Sequence, residues 1–258
     1  MIKAVLFDLG GTLHRGTVPP GRGLWFAERI IGRLSDYGIV LPVSAEELAE
    51  TLPVNAEEYK AYSEKTLREL PPDEIWSSFY LKGLGVSRQQ LEPMAEELSF
   101  LYDYERPMIM RRPGLVSTMR ELSSMGLKLG IISNIISRSV VPHFMQEYGI
   151  ADMMDCVLTS SATGIRKPSA QIFRMAEEQL GLEPEELCYV GDTISRDVIG
   201  TRNAGWKLMI RISEPNTANR DVGLENCGYE PDYKISELTE IPEIIKKENA
   251  CNGGRNND

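Results

Sequence analysis

Between residues 107 and 248, short apolar runs alternate with amphipathic stretches, and that rhythm is the strongest constraint on how this chain can fold. The runs are Leu127 to Ile132, Cys156 to Thr159, Leu187 to Val190 and Trp206 to Ile212, with an earlier one, Ala4 to Phe7, near the start. Each has strand length and is mostly apolar, as a strand must be when both faces are covered. The stretches between them carry helix signals. Residues 113–125 open on Pro113 and stop at Gly126. Residues 137–148 and 195–204 follow the same spacing, and Ser169 is placed to cap a helix running to Leu180. Leu238, Ile241, Ile244 and Ile245 form one apolar stripe in 236–247. Strand and helix in this order predict an α/β fold: a three-layer, doubly wound, Rossmann-like parallel sheet with helices on both faces.

Residues 18–105 break the rhythm. They carry five helical stretches (24–37, 44–51, 55–70, 73–84 and 87–103) and no convincing strand, so they read as a helical module inserted after the first strand. The expected organisation is a core of 1–17 and 106–248, a helical insert of 18–105, and a disordered Asn- and Gly-rich tail, 249–258. Trp25, Trp76, Phe79 and Tyr80 read as packing between insert helices, with the substrate pocket as the alternative place for some of them, and Arg106 and Arg111-Arg112 as surface charges at the hinge, the alternative being contact with an anionic substrate. A hydrophobic fraction of 42% over 258 residues supports a sizeable core. A formal charge of -10 argues against partnership with nucleic acid or an anionic membrane. Cys156, Cys188, Cys227 and Cys251 form no paired metal motif. With no signal peptide and no apolar run of spanning length, they read as reduced thiols in a cytoplasmic protein, monomer or homodimer.

Parallel sheets of this type bind ligands at the carboxyl ends of their strands. Four strands here end on polar or reactive residues: Asp8, Ser133-Asn134, Thr159 with the loop to Lys167, and Asp192. If these tips are neighbours, Asp8, Asp192 and Asp197 share a pocket with one Lys167. Three carboxylates and one ammonium need a further cation in a dry site. All-oxygen ligands beside a phosphate suit Mg²⁺, toward which the carbonyl of Gly10 can turn. A carboxylate held between Mg²⁺ and Lys is poised to attack phosphorus. Lys167, the Ser133 hydroxyl, and N–H groups after Asp8 (Gly11 among them) and after Ser133 could neutralise the transferring group.

In these motifs the chain resembles the haloacid dehalogenase superfamily, across residues 1 to 248. That family's Asp-x-Asp-Gly-Thr motif aligns with Asp8-Leu9-Gly10-Gly11-Thr12, and its strand ending in Ser or Thr with Ile131-Ile132-Ser133-Asn134. Its lysine before a helix aligns with Arg166-Lys167-Pro168, and its acidic loop with Gly191-Asp192-Thr193-Ile194-Ser195-Arg196-Asp197. The resemblance implies a hydrolase, a phosphatase of a small phosphorylated metabolite, with Asp8 as nucleophile. Asp8, Gly10 and Asp192 would hold Mg²⁺, Asp197 would support the metal site or Lys167, and Thr12, Ser133, Asn134 and Lys167 would hold the phosphate. The insert would be the cap domain that one branch of the family carries after the first motif.

One position departs from the pattern. The family's phosphatases use the second Asp to protonate the leaving oxygen, and Gly10 stands there instead. His14 or a cap carboxylate would have to replace it, or the substrate would need a good leaving group, or the protein would bind a phospholigand with little turnover. A histidine in this loop is ordinarily a surface residue. Phosphonate or carbon–halogen cleavage is a further alternative. The first needs a cap lysine (Lys60, Lys65 or Lys82), and the Gly191-Asp192 pair argues against the second.

Overall fold

In a computed structural model describing residues 1–224 and 227–253, six parallel strands form one sheet. They are β1 (Ala4–Phe7), β4 (Lys128–Ser133), β5 (Cys156–Thr159), β6 (Leu187–Gly191), β7 (Leu208–Ile212) and β8 (Tyr233–Ile235), in the order β5-β4-β1-β6-β7-β8. All four residues of β1 are fully buried. Val5 and Phe7 pack against helices Leu115–Ser124, Val140–Glu147 and Ile241–Gly253 on one face, while Ala4 and Leu6 meet Ala170–Leu180 on the other. This alternation across a sheet covered on both sides gives the near-continuous apolar runs read from the sequence.

Register positions the chemistry. Phe7 lies opposite Ile131 of β4 and Val190 of β6, so Asp8, Ser133 and the Gly191-Asp192 turn emerge side by side at one sheet edge. The chain reverses its lateral direction here, since β4 and β5 are built on one side of β1 and β6 to β8 on the other. Ligands bind at such a switch point in open α/β sheets.

Residues 26–101 contribute a third apolar cluster, joined by Ile136. Phe26, Ile30 and Leu34 of helix Arg22–Asp36 pack against Leu48, Leu52, Ala56 and Tyr59 of helix Ala45–Thr66. That second helix replaces the two expected on either side of Pro53. An interior proline costs about 3 kcal/mol, but the apolar stripe continues through it, and Ser44 with Glu47 closes a capping box at its start. The expected 73–84 and 87–103 helices are instead broken. Pro72–Ile75 runs into a wide π turn, Trp76–Tyr80; Arg88–Leu91 and Ala95–Phe100 lead to a second, Leu101–Glu105. Trp76 and Tyr80 are buried in this cluster, whereas Trp25 is partly exposed beneath Arg22, contrary to its expected packing role.

Two strands escaped the sequence reading. β2 (His14–Thr17) and β3 (Met108–Arg111) pair antiparallel where the chain leaves for the helical segment and returns. Most of their residues are exposed or half-buried, so no apolar alternation announces them. A second tether joins the insert to the core: Glu69 donates its N–H to Gly164, and Arg166 donates to the carbonyl of Leu67. The buried Glu69 carboxylate receives Arg166, Ser160 and Tyr59 directly before Lys167.

The last described helix runs through Gly253, so 249–253 are helical rather than a disordered tail. The reason lies in Asn249, which accepts the N–H of Ile2 at 2.6 Å and donates to its carbonyl at 3.1 Å. Residues 254–258 lie outside the described residues. Among the described residues no helix is long and apolar enough to cross a membrane.

Candidate active site

Asp8 follows β1 directly and donates its N–H to the carbonyl of Val190 at 2.9 Å, which fixes its backbone against β6. The chain then turns back on itself, with Leu13 donating to Leu9 at 2.8 Å. Gly11 sits in this turn at φ +89°, where an added Cβ would lie 2.3 Å from Asp192 Oδ2. Only glycine meets both demands. Arg112 holds the turn from behind: its guanidinium donates to the Gly11 carbonyl at 2.6 and 3.2 Å and pairs with Glu214 at 2.8 Å. It is therefore buried and structural, not the hinge surface charge expected. Gly11→Ala is expected to lower stability by at least about 1–2 kcal/mol from backbone conformation alone. Thermal unfolding checks this; an unchanged midpoint would contradict the clash with Asp192.

Lys167 sits at the centre. Its ammonium lies 2.9 Å from Asp8 Oδ1 and 2.7 Å from Asp197 Oδ1, and donates to the Tyr189 hydroxyl at 2.7 Å, so its three donors are matched. The Tyr189 hydroxyl in turn donates to the Ile132 carbonyl at 2.7 Å. Asn134 clamps the Lys167 main chain, accepting its N–H and donating to its carbonyl, both at 2.9 Å. Asn134 also lines the cavity, and its amide nitrogen keeps a second N–H beyond the one that holds Lys167. Asp197 Oδ2 receives the N–H and hydroxyl of Thr193 at 2.9 and 2.7 Å.

One carboxylate is left over. Asp192 is buried, and neither of its oxygens has a hydrogen-bond partner among the described residues. Ligand oxygens of Asp8, Asp192 and Asp197 lie within 4.8 Å of one another. Burial, followed by the charges of Asp197 and Asp8, pushes the Asp192 carboxyl up to about 7. Burial also raises Asp8, with Lys167 only partly offsetting it. Asp197 goes the other way: burial opposes its charge, but Lys167 and the Thr193 hydrogen bonds win and lower it. Burial likewise opposes the Lys167 charge, yet Asp197 and Asp8 hold it above the usual lysine range. Three acidic groups around one ammonium, with two orphaned oxygens, fit a hard divalent cation bound through oxygen.

A cavity of about 330 Å³ opens in front of this cluster. Asp8, Gly10, Gly11, Ser133, Asn134 and Lys167 line it, so most of the residues singled out from sequence meet in one place. Thr12 does not: it is fully buried, and its hydroxyl has no hydrogen-bond partner among the described residues and no share in the cavity wall. His14 is buried too, not a surface residue. Its Nδ1 lies 2.9 Å from the Tyr148 hydroxyl, its ring is 4.5 Å from that of Phe144, and burial pushes it down to about 4. Its Nε2 stands 4.0 Å from where a Cβ on Gly10 would lie.

The sequence reading missed several members of this wall. Asp103 lines the cavity from the last turn of the helical segment, accepts the Ser137 N–H at 2.9 Å, and is pushed by burial up to about 7. Arg106, Arg196 and Arg220 also border it. Arg196 lies inside the acidic loop and Arg106 at the expected hinge, but nothing local marks Asp103 or Arg220, because separate chain segments bring them together. Tyr189 hides as one more apolar-looking strand residue.

Known proteins carry the same architecture. A glyceraldehyde 3-phosphate phosphatase of Methanopyrus kandleri is 26% identical, with 96% of this chain and 98% of that protein aligned. Another from Methanothermobacter thermautotrophicus is 28% identical, covering 95% of this chain and all of its own length. The crystal structure of a HAD phosphatase from Thermococcus onnurineus superposes with a TM-score of 0.57 at 27% identity, over 95% of this chain and 98% of its own. The model of the haloacid dehalogenase-like hydrolases matches residues 2–205, from β1 past the loop that carries Asp192 and Asp197, and the chain belongs to that family of hydrolases.

Proposed function

We propose that this hydrolase is a Mg²⁺-dependent phosphatase that cleaves a small phosphorylated molecule by way of a phosphorylated Asp8. One observation carries the reading: a cavity-facing Asp8 carboxylate lies 2.9 Å from the Lys167 ammonium, with the unpartnered Asp192 carboxylate in the same acidic cluster. The full-length relatives are named for a small phosphate ester, which supports the substrate class.

In this reading Asp8 attacks phosphorus as the bond to the leaving oxygen breaks, and water then releases phosphate from the acyl phosphate. The Lys167 charge, the Ser133 hydroxyl and the Gly10 N–H face the phosphoryl oxygens, while the Gly11 N–H expected to join them is already donated to the His14 carbonyl at 2.8 Å. Asp197 and Asn134 keep Lys167 in place. Asp8, Asp192 and the Gly10 carbonyl would hold Mg²⁺, which neutralises phosphoryl charge when bound. Residues 18–105 act as a cap that excludes bulk water and selects the substrate. Gly10 supplies no proton, and the buried His14 beside it is neutral near pH 7, so it offers a hydrogen bond in place of a full charge. Leaving groups that depart with little protonation are favoured.

The test is phosphate release from an aryl phosphate with Mg²⁺ and with a chelator in its place; release that ignores the chelator rejects the metal-dependent reading. A second measurement reads the metal site directly. The Asp192 carboxyl keeps its proton up to about 7, whereas an unfolded Asp gives it up near pH 4, so a cation must compete with that proton below neutrality. Mg²⁺ is expected to raise the thermal midpoint more at pH 8 than at pH 5. Equal shifts, or none, would count against Asp192 as a ligand. A second functional reading, phospholigand binding without efficient turnover, is favoured by Gly10 itself; tight binding with no release across a phosphate panel would select it.

A further inference from the structure

The cavity before Asp8 continues toward the helical segment. A second hollow of about 220 Å³ shares Asp103, Arg106, Asn134, Arg196 and Arg220 with it and is walled on the far side by Tyr59 and Tyr102. Five cationic side chains border this hollow, and three of them are already paired. Lys60 lies 2.9 Å from Glu57, Arg196 lies 2.5 Å from Glu64, and Arg166 meets the buried Glu69.

Arg106 and Arg220 remain. The Arg106 guanidinium stacks 4.0 Å above the ring of Tyr102, and its Nε is buried with no hydrogen-bond partner among the described residues. Arg220 is exposed and makes no hydrogen bond or ion pair among the described residues, though it is near enough to Asp192 to act on it electrostatically. The acids that face them are Glu57, held by Lys60, and Asp103, which burial leaves only partly ionised near neutrality. Arg106 acts on Asp103 and Arg220 on Asp192 through charge, but neither makes an ion pair among the described residues, so both guanidinium groups keep hydrogen-bond donors for a ligand in this hollow. Such groups recognise carboxylate or phosphate through paired hydrogen bonds, and a guanidinium stacked on a ring is already oriented for this.

We infer that the substrate carries a second anionic group on its leaving-group side, a carboxylate or a further phosphate, received by Arg106 and Arg220 in the hollow between helical segment and sheet. This rests on the phosphatase reading of Asp8, and the experiment separates the two. Carboxyphenyl phosphates, with the acid at the 3- or 4-position, are compared with the matching carbamoylphenyl phosphates, which differ in charge while keeping similar shape. For the full chain with Mg²⁺, kcat/KM is expected to favour the better of the two carboxylates by about 10-fold or more, the scale of one hydrogen bond to a charged group. Arg106→Met and Arg220→Met should each move that ratio toward one. A ratio near one in the unmodified protein, with all compounds hydrolysed, overturns the inference and leaves the phosphatase standing. If no compound is hydrolysed, the phosphatase reading fails, and calorimetric binding of the same compounds to Asp8→Asn decides the inference: preference for the carboxylates supports it, and parity overturns it.

Discussion

Asp8→Asn is expected to abolish phosphate release, by roughly 10⁴-fold or more, as loss of an attacking side chain does elsewhere. The amide is nearly the same shape as the carboxylate, and its oxygen can still accept from Lys167, whose ammonium keeps Asp197 and Tyr189 as partners. Stability is expected to move differently. Burial raises the Asp8 carboxyl above its ordinary value, with Lys167 offsetting part of the effect, so its charge costs more in the folded, metal-free protein than in the unfolded chain. Linkage gives the sign: a carboxyl with a raised folded pKa binds its proton more tightly when folded, and its contribution to stability falls as pH rises through that range. Removing the charge should leave the metal-free protein as stable near pH 7 or more so. Activity lost with stability kept is the signature of a reacting group. A merely structural Asp8 would instead lower the thermal midpoint, and retained phosphate release would remove Asp8 from the chemistry.

The tips that meet around Lys167 could be read from sequence because fully buried parallel strands leave continuous apolar runs, and each run stops where its polar residue begins. Ala4 to Phe7 points to Asp8, and Leu187 to Val190 points to Gly191-Asp192, without any knowledge of their pairing. What stayed hidden depends on contact between distant segments. Arg112 looked like a surface charge until the Gly11 carbonyl and Glu214 were found to close around it. Asp103 sits in a helical stretch with no motif, and only the docking of that stretch against Ser137 gives it a cavity to line. The β2–β3 ribbon escaped because it buries little, and periodicity reports burial and nothing else. Pro53 misled in the opposite sense: a local breaker was overruled by the apolar stripe on which its helix packs.

Gly10→Asp is expected to raise turnover, and the size of the gain should depend on the leaving group. The position accepts a side chain: its backbone is outside the left-handed range, and an added Cβ meets nothing nearer than His14 Nε2 at 4.0 Å. The new carboxyl would sit between the cavity and that imidazole, where its charge would also raise the His14 pKa from its depressed value near 4. General acid–base assistance typically contributes about 10²–10⁴-fold, or roughly 3–5 kcal/mol of barrier. An alkyl phosphate, whose leaving alkoxide is strongly basic, draws on nearly all of that assistance; an aryl phosphate draws on little. The expected result is a gain of about 10²-fold or more on alkyl phosphates against a much smaller gain on aryl phosphates, with Gly10→Asn giving neither. Equal gains on both would mean that protonation of the leaving group does not limit the glycine protein. The missing carboxylate would then have to be explained by a proton donor already in place, with Asp103 as the group to substitute next, since it faces the same cavity and titrates near 7.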